Sequence, residues 1–307
     1  MNKENKINII TATYNRGKYL KNIYKSICEQ KYSNIQWVIV DDGSKDNTEE
    51  VVNKYISEGI IAIKYIKKEN GGKHTALNIA IDKVEEGLVF IVDSDDILSK
   101  NSLEKINTLW SNINKKEYNY NIIGIGGLKG YINNNVIIGD KIPCDNFLDD
   151  TLLGLTYNYK VLGDKSIIFD YEVLKNYRFP EFKGEKFLTE AVVYNRIMNE
   201  KNKLRWVNEI FTLCEYLDDG LTKKYDEIMS ENWNGTKLYF EELLNLNIGN
   251  DNKREIIKNY LRYGYVNNEF NSITKKYKLK GIPKLNALKE GIILSNKIKV
   301  KKLLRRK

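Results

Sequence analysis

Four apolar, β-branched runs open the chain, at residues 7–13, 35–40, 60–66 and 88–92, and each reads as a buried strand. Between them apolar residues recur at helical spacing. Tyr19, Leu20, Ile23, Ile27 and Cys28 form the first such set, Val51, Val52 and Tyr55 the second, and Ala76, Leu77, Ala80 and Ile81 the third. Strands alternating with helices of this length require right-handed crossovers, which predicts an α/β fold with a mostly parallel sheet flanked by helices on both faces. Asp46 or Asn47 can cap the second helix, with Glu49 and Glu50 favourable in its first turn, and Asn101 or Ser102 can start a helix after the fourth strand.

From 118 to 163 the periodicity weakens. Short strands are expected at 121–125 and 136–138, and a short helix at 145–153. A strand at 165–169, a helix at 188–198 and two short strands at 204–207 and 210–215 follow. Beyond Leu221 the chain becomes helix-like and polar, with amphipathic spacing at Leu238, Phe240, Leu243 and Leu244 and again at Ile256, Ile257, Tyr260 and Leu261.

Composition narrows the chemistry. At 307 residues, 42% hydrophobic and 30% charged, the chain suits one large soluble α/β domain with an appended segment, and no run approaches the roughly 18 apolar residues of a spanning helix. Residues 1–6 are polar and lack the apolar core of a secretory signal, so a cytoplasmic location is expected. Cys28, Cys144 and Cys214 are odd in number and widely spaced, and read as free thiols. His74 is the sole histidine, so a metal would sit on carboxylate oxygens, which points to magnesium or manganese and excludes zinc. The net charge of +9 is unevenly spread: from Ile273 onward 13 Lys or Arg face one acid, Glu290, leaving the body at −3. A nucleic-acid-binding protein would need a basic body, so that reading is disfavoured.

In parallel α/β sheets ligands bind beyond the carboxyl ends of the strands, which directs attention to the loops at 12–17, 41–46, 67–73 and 93–98. Asp93-Ser94-Asp95-Asp96 follows the fourth strand directly. Three carboxylates so close repel one another unless a cation is supplied, and magnesium held by one or two carboxylates plus substrate phosphates is a common solution. The same residues also suit a helix cap. Asp41-Asp42-Gly43-Ser44 places acids on the same rim, where a carboxylate can accept a hydrogen bond from a base edge or ribose hydroxyl; an Asp-Gly turn is the simpler alternative.

Taken together, Thr13-Tyr14-Asn15-Arg16, Asp41-Asp42-Gly43-Ser44, Asn70-Gly71-Gly72 with Ala76-Leu77-Asn78, and Asp93-Ser94-Asp95-Asp96 resemble, in order and spacing, the family 2 glycosyltransferases. These have the GT-A, Rossmann-like fold and use nucleotide-diphosphate sugars with inversion. The resemblance is close over the first 110 residues or so and thins toward Leu221. It implies that Ala12, Thr13, Tyr14, Asn15 and Asp42 hold the nucleotide base, uracil. Asp93 would reach the ribose or the metal, and Asp95, the last acid of the Asp-x-Asp motif, would ligate a divalent manganese or magnesium ion. Gly72, Lys73, His74 and Asn78, at a helix N-terminus, would meet the diphosphate or sugar. For His74 an exposed helix position is the alternative. The general base is expected at Glu190, spaced from Arg196 as in the family, with Glu185 the competitor because Thr189-Glu190 replaces the usual Glu-Asp pair.

The implied organisation is a glycosyltransferase domain over 1–220, with a nucleotide-binding half 1–112 and an acceptor half 113–220, and a helical C-terminal extension over 221–307 ending in a basic tail. The implied reaction is transfer from a UDP-sugar to an acceptor hydroxyl in glycan, lipid-linked or protein glycosylation. The tail 297–307 mixes seven positive charges with Ile, Val and Leu and suits an anionic membrane surface or a solvated terminus. A sugar-nucleotide pyrophosphorylase is the alternative enzyme, disfavoured because residues 13–18 hold only one glycine where its loop should be glycine-rich.

Overall fold

The computed structural model describes residues 4–113, 117–215 and 224–304. Their contacts divide into two units. The first runs through Phe179 and resumes over Val193–Glu215; the second is Pro180–Val192 together with the chain described after Glu215.

The first unit opens with β1 (Ile7–Thr13), α1 (Gly17–Cys28), β2 (Ile35–Asp41), α2 (Thr48–Glu58), β3 (Ala62–Lys67), α3 (Lys73–Asp82) and β4 (Leu88–Ile91). It continues with β5 (Ile97–Leu98), α4 (Ser102–Ser111), β6 (Asn121–Tyr131), β7 (Leu148–Asp150), a π-helical turn (Gly154–Asn158), β8 (Lys165–Asp170), α5 (Tyr171–Leu174), α6 (Ala191–Ile197) and β9 (Asn202–Cys214). One sheet takes them in the order β3-β2-β1-β4-β8-β6-β9-β5, with β7 paired to β9. The first four strands are mutually parallel. β1, β2 and β4 are buried, as strands covered on both faces are, whereas β3 lies at the end of the strand order and is half-buried with exposed ends, which corrects the buried strand expected at 60–66. On one face Ile7, Ile9, Trp37, Ile39 and Phe90 pack with Leu20, Ile23 and Ile27 of α1, Val52 of α2 and Leu103 and Ile106 of α4. The buried Trp37 indole donates to Thr11 Oγ1 at 3.0 Å, so its one polar atom is satisfied inside that core.

Further sequence expectations change. The helix expected at 145–153 is absent: Leu148–Asp150 is a strand, held to β9 by a buried two-point ion pair of Arg205 with Asp149 at 2.7–2.9 Å and by the Trp206 indole on Asp150 O. Partners 56 residues away override local propensity there. The strand expected at 136–138 amounts to a single bridge, Gly130 to Ile137. The two short strands at 204–207 and 210–215 are one long strand, β9, whose register against β6 shifts between Gly126 and Leu128. The helix expected at 188–198 is shorter, Ala191–Ile197.

The second unit contains α7 (Tyr225–Glu231), α8 (Trp233–Asn245), α9 (Asn250–Val266), α10 (Phe270–Lys276) and α11 (Gly281–Leu304). Its centre is aromatic: Phe240 stacks on Tyr260 at 5.3 Å, with Trp233 and Tyr263 against them. Gly291 brings α11 close to α9, since a Cβ there would meet the Tyr265 side chain at 2.6 Å. Among the described residues no helix is long and apolar enough to cross a membrane. The boundary at 220/221 and the tail residues Arg305, Arg306 and Lys307 lie outside the described residues.

Candidate functional site

Because β1 to β4 are parallel, their carboxyl ends share one edge of the sheet. There Thr13 stands in register with Asp41, and Asp41 with Lys67. The Asp41 carboxylate accepts from the Ser44 amide and from the Tyr65 hydroxyl, both at 2.7 Å. Asn15 adopts a left-handed φ of 51°, which suits asparagine; its N–H donates to Ser44 Oγ and its side-chain oxygen accepts from the Lys45 amide. The loops after β1 and β2 are thus laced together. Thr13, buried to 2% exposure, keeps a hydroxyl with no hydrogen-bond partner among the described residues, whereas Tyr14 is exposed and Ala12 half-buried. A buried polar atom left open costs stability, so it marks a place suited to a ligand.

Asp42 fastens the third loop. One carboxylate oxygen accepts from Lys68 Nζ at 2.7 Å and the Gly71 amide at 2.9 Å; the other accepts from Asn70 Nδ2 at 2.9 Å and the Gly72 amide at 2.7 Å. Four donors fill the acceptor sites of a carboxylate. Asp42 therefore works first as the organiser of the Asn70-Gly71-Gly72 turn, and a base could reach it only by displacing one of these donors. Gly72 has a φ of 99°, a conformation that favours glycine, and it leads directly into α3.

At the end of β4, alternate residues turn inward. Ser94 and Asp96 are buried, while Asp93 and Asp95 are half-buried. Lys73, first residue of α3, pairs with Asp93 Oδ1 at 2.5 Å. Lys129 of β6 pairs with Asp96 at 2.7 Å and approaches Asp93 at 3.8 Å. Two lysines thus offset much of the repulsion that the sequence alone assigned to a metal. Burial raises the Asp93 carboxyl, but Lys73 and Lys129 outweigh it and hold the group well below the usual range. Burial pushes Asp96 up to about 6 against the pull of Lys129.

Asp95 differs from both. Among the described residues it has no ion pair and no hydrogen bond from another side chain, and burial, then repulsion by Asp93, raises its carboxyl, with Arg16 and Lys73 pulling the other way. Among the described residues no three His, Cys, Asp or Glu side chains converge into a ready-made metal cage. One unpaired carboxylate beside a paired one nevertheless fits a hard cation whose remaining positions go to phosphate and water.

His74 is buried rather than exposed. Asn78 is buried too, and its amide makes a reciprocal pair with the Phe179 backbone at 2.9 Å in each direction, so that side chain clamps the chain at Phe179. The donor contact expected of Asn78 thus falls on a side chain that also holds the Phe179 backbone. Lys129 and Lys68 escaped the sequence reading. Neither belongs to a motif, and only the fold brings Lys129 to an aspartate 33 residues away.

In the second unit, Glu185 accepts from the Asn234 and Gly235 amides at 2.7 and 2.9 Å, and from Asn234 Nδ2 at 2.9 Å. It caps α8. Glu190 immediately precedes α6 and is half-buried. Burial, then the negative charges of Glu190 and Asp226, push the Tyr225 hydroxyl up to about 12.

Residues 8–139 match the family model described as Glycosyl transferase family 2. The glycosyltransferase GlyG of Streptococcus pneumoniae is 35% identical over 112 residues, 36% of each chain. The poly(ribitol-phosphate) β-N-acetylglucosaminyltransferase TarS of Staphylococcus aureus is 24% identical over 302 residues, 94% of this chain and 49% of TarS. The chain thus spans half or less of the length of these curated relatives. The crystal structure of TarS 1-349 with UDP-GlcNAc superposes with a TM-score of 0.57 at 20% identity, covering 94% of this chain and 81% of that one. The mannosyltransferase PcManGT of Pyrobaculum calidifontis, crystallised with GDP-Man and Mn2+, gives a TM-score of 0.54 at 17% identity, over 95% and 81%. These relatives and structural neighbours are glycosyltransferases, and the sheet flanked by helices with a helical C-terminal region matches their GT-A architecture.

Proposed function

We propose that the chain is an inverting glycosyltransferase that moves a sugar from a UDP-sugar to an acceptor hydroxyl on a glycan, a lipid-linked carrier or a protein. The observation that carries this reading is the unpaired Asp95 at the end of β4, on the sheet edge that also holds the laced loops of Thr13, Asp41 and Asp42. The open hydroxyl of Thr13 and the Ala12 to Asn15 loop receive the base. Asp42 takes the base N–H in exchange for one of its four present donors. Asp95, joined by Asp93, would hold a magnesium or manganese ion, which supplies positive charge for the departing diphosphate. Lys73 turns from Asp93 toward the phosphates, aided by the N-terminus of α3, where the Gly72 turn leaves the backbone close.

Glu190 takes the proton from the attacking hydroxyl as the bond to the diphosphate breaks, so the new bond forms on the opposite face of the sugar. Glu185 is the weaker candidate because its carboxylate already serves the α8 backbone. The test is a panel of UDP- and GDP-sugars, read by release of nucleoside diphosphate with manganese present and then chelated. The proposal expects UDP from one UDP-sugar, with release stopping on chelation; no release from any donor contradicts it.

A further inference from the structure

The last helix has two apolar faces. Ala287, Gly291, Leu294 and Ile298 are buried inside the second unit. Leu285, Ile292, Ile293, Val300 and Leu303, at helical spacings that bring them to the opposite side, are exposed, Leu285 by 63%, Ile293 by 56%, Val300 by 55% and Leu303 by 65%. An exposed apolar stripe bordered by charge marks an interaction surface, so the outer stripe calls for an occupant. From Leu285 to Leu303 it runs about 27 Å at 1.5 Å per residue. Lys289 and Lys299 lie within the stripe, and Lys297, 57% exposed with its ammonium 3.8 Å from Asp226, borders it. The helix's single acid, Glu290, is engaged with Lys258 at 2.8 Å, so it does not offset these cations on the outer side. From Ile273 to the end the sequence carries 13 Lys or Arg.

We propose that the outer face of α11 is a docking surface for an anionic lipid bilayer, with Leu285, Ile292, Ile293, Val300 and Leu303 sunk among the acyl chains and the lysines among the headgroups. Charge selects this occupant. Two copies of so basic a helix repel each other, and nucleic acid offers nothing to an apolar stripe, whereas a negatively charged membrane interface satisfies both halves of the pattern. The helix lies in the interface rather than spanning it, in keeping with its mixed character.

The test is flotation of the full chain with vesicles of phosphatidylcholine and phosphatidylglycerol in equal parts, against vesicles of phosphatidylcholine alone. One variant combines Leu285→Ser, Ile292→Ser and Ile293→Ser; the other combines Lys289→Gln, Lys297→Gln and Lys299→Gln. All six positions face outward or border the outer face, and helical circular dichroism checks that each variant folds. Wild type is expected on the anionic vesicles only, in a salt-sensitive manner. The lysine variant should partition about 100-fold more weakly, at roughly fivefold per cation. The apolar variant should lose association by tenfold or more. Equal partitioning of wild type on the two vesicle types, or undiminished binding by either variant, overturns the proposal. So does a wild-type dimer in solution that the apolar variant dissociates, because the occupant is then a second copy.

Discussion

Lys129 is the residue on which the acidic loop after β4 leans. Its side chain is 16% exposed and Asp96 is 7% exposed, so removing the cation strands a buried carboxylate. Lys129→Met is expected to cost about 3–5 kcal/mol in urea unfolding, the range for breaking a buried pair from one side. A loss below about 1 kcal/mol would mean that the loop is neutralised by other means. The two glutamates of the second unit separate by a different readout. Glu185→Ala removes the α8 cap and is expected to lower stability by about 1 kcal/mol with turnover nearly kept. Glu190→Gln is expected to keep the fold and lower kcat by about 100-fold to 10,000-fold. The reverse pattern would exchange their roles. At this scale the sequence was a good guide to acids that follow strands. It gave no sign of Lys68, Lys129 or the occupied amide of Asn78, whose partners lie 26, 33 and 101 residues away.

Among the elements, those whose apolar pattern is continuous were the legible ones. β1, β2 and β4 are buried strands that announce themselves as apolar, β-branched runs, and α1 and α2 carry one apolar stripe each. β6 hid most of its 11 residues because Gly124, Gly126, Gly127 and Gly130 interrupt the run. Those glycines answer to packing. A Cβ on Gly126 would sit 2.0 Å from the Trp206 ring, and one on Gly124 would sit 2.0 Å from Ile168 O. Gly126→Ala is accordingly expected to destabilise the fold by about 1–3 kcal/mol, read as a lowered urea midpoint, because the Trp206 ring must move or leave its rotamer. An unchanged midpoint would mean that β6 and β9 can separate freely at that point. β7 was misread as helix for a related reason: its three residues are strand only because Arg205 and Trp206 of β9 hold them there.

For the whole molecule, charge and chemistry divide along the chain. The acids and lysines of the candidate donor site belong to the first unit, whereas Glu190 and the basic outer helix belong to the second. Two of the three parts of the proposed reaction, nucleotide recognition and neutralisation of the leaving group, therefore need only the strand-end edge of one sheet. That part can be measured without knowing the acceptor. Calorimetric titration of UDP with manganese into wild type and Asp95→Asn tests it directly. The account predicts that wild type binds UDP at least tenfold more tightly with manganese than with chelator, and that Asp95→Asn binds weakly under both conditions. Equal affinity in all of these titrations would contradict it.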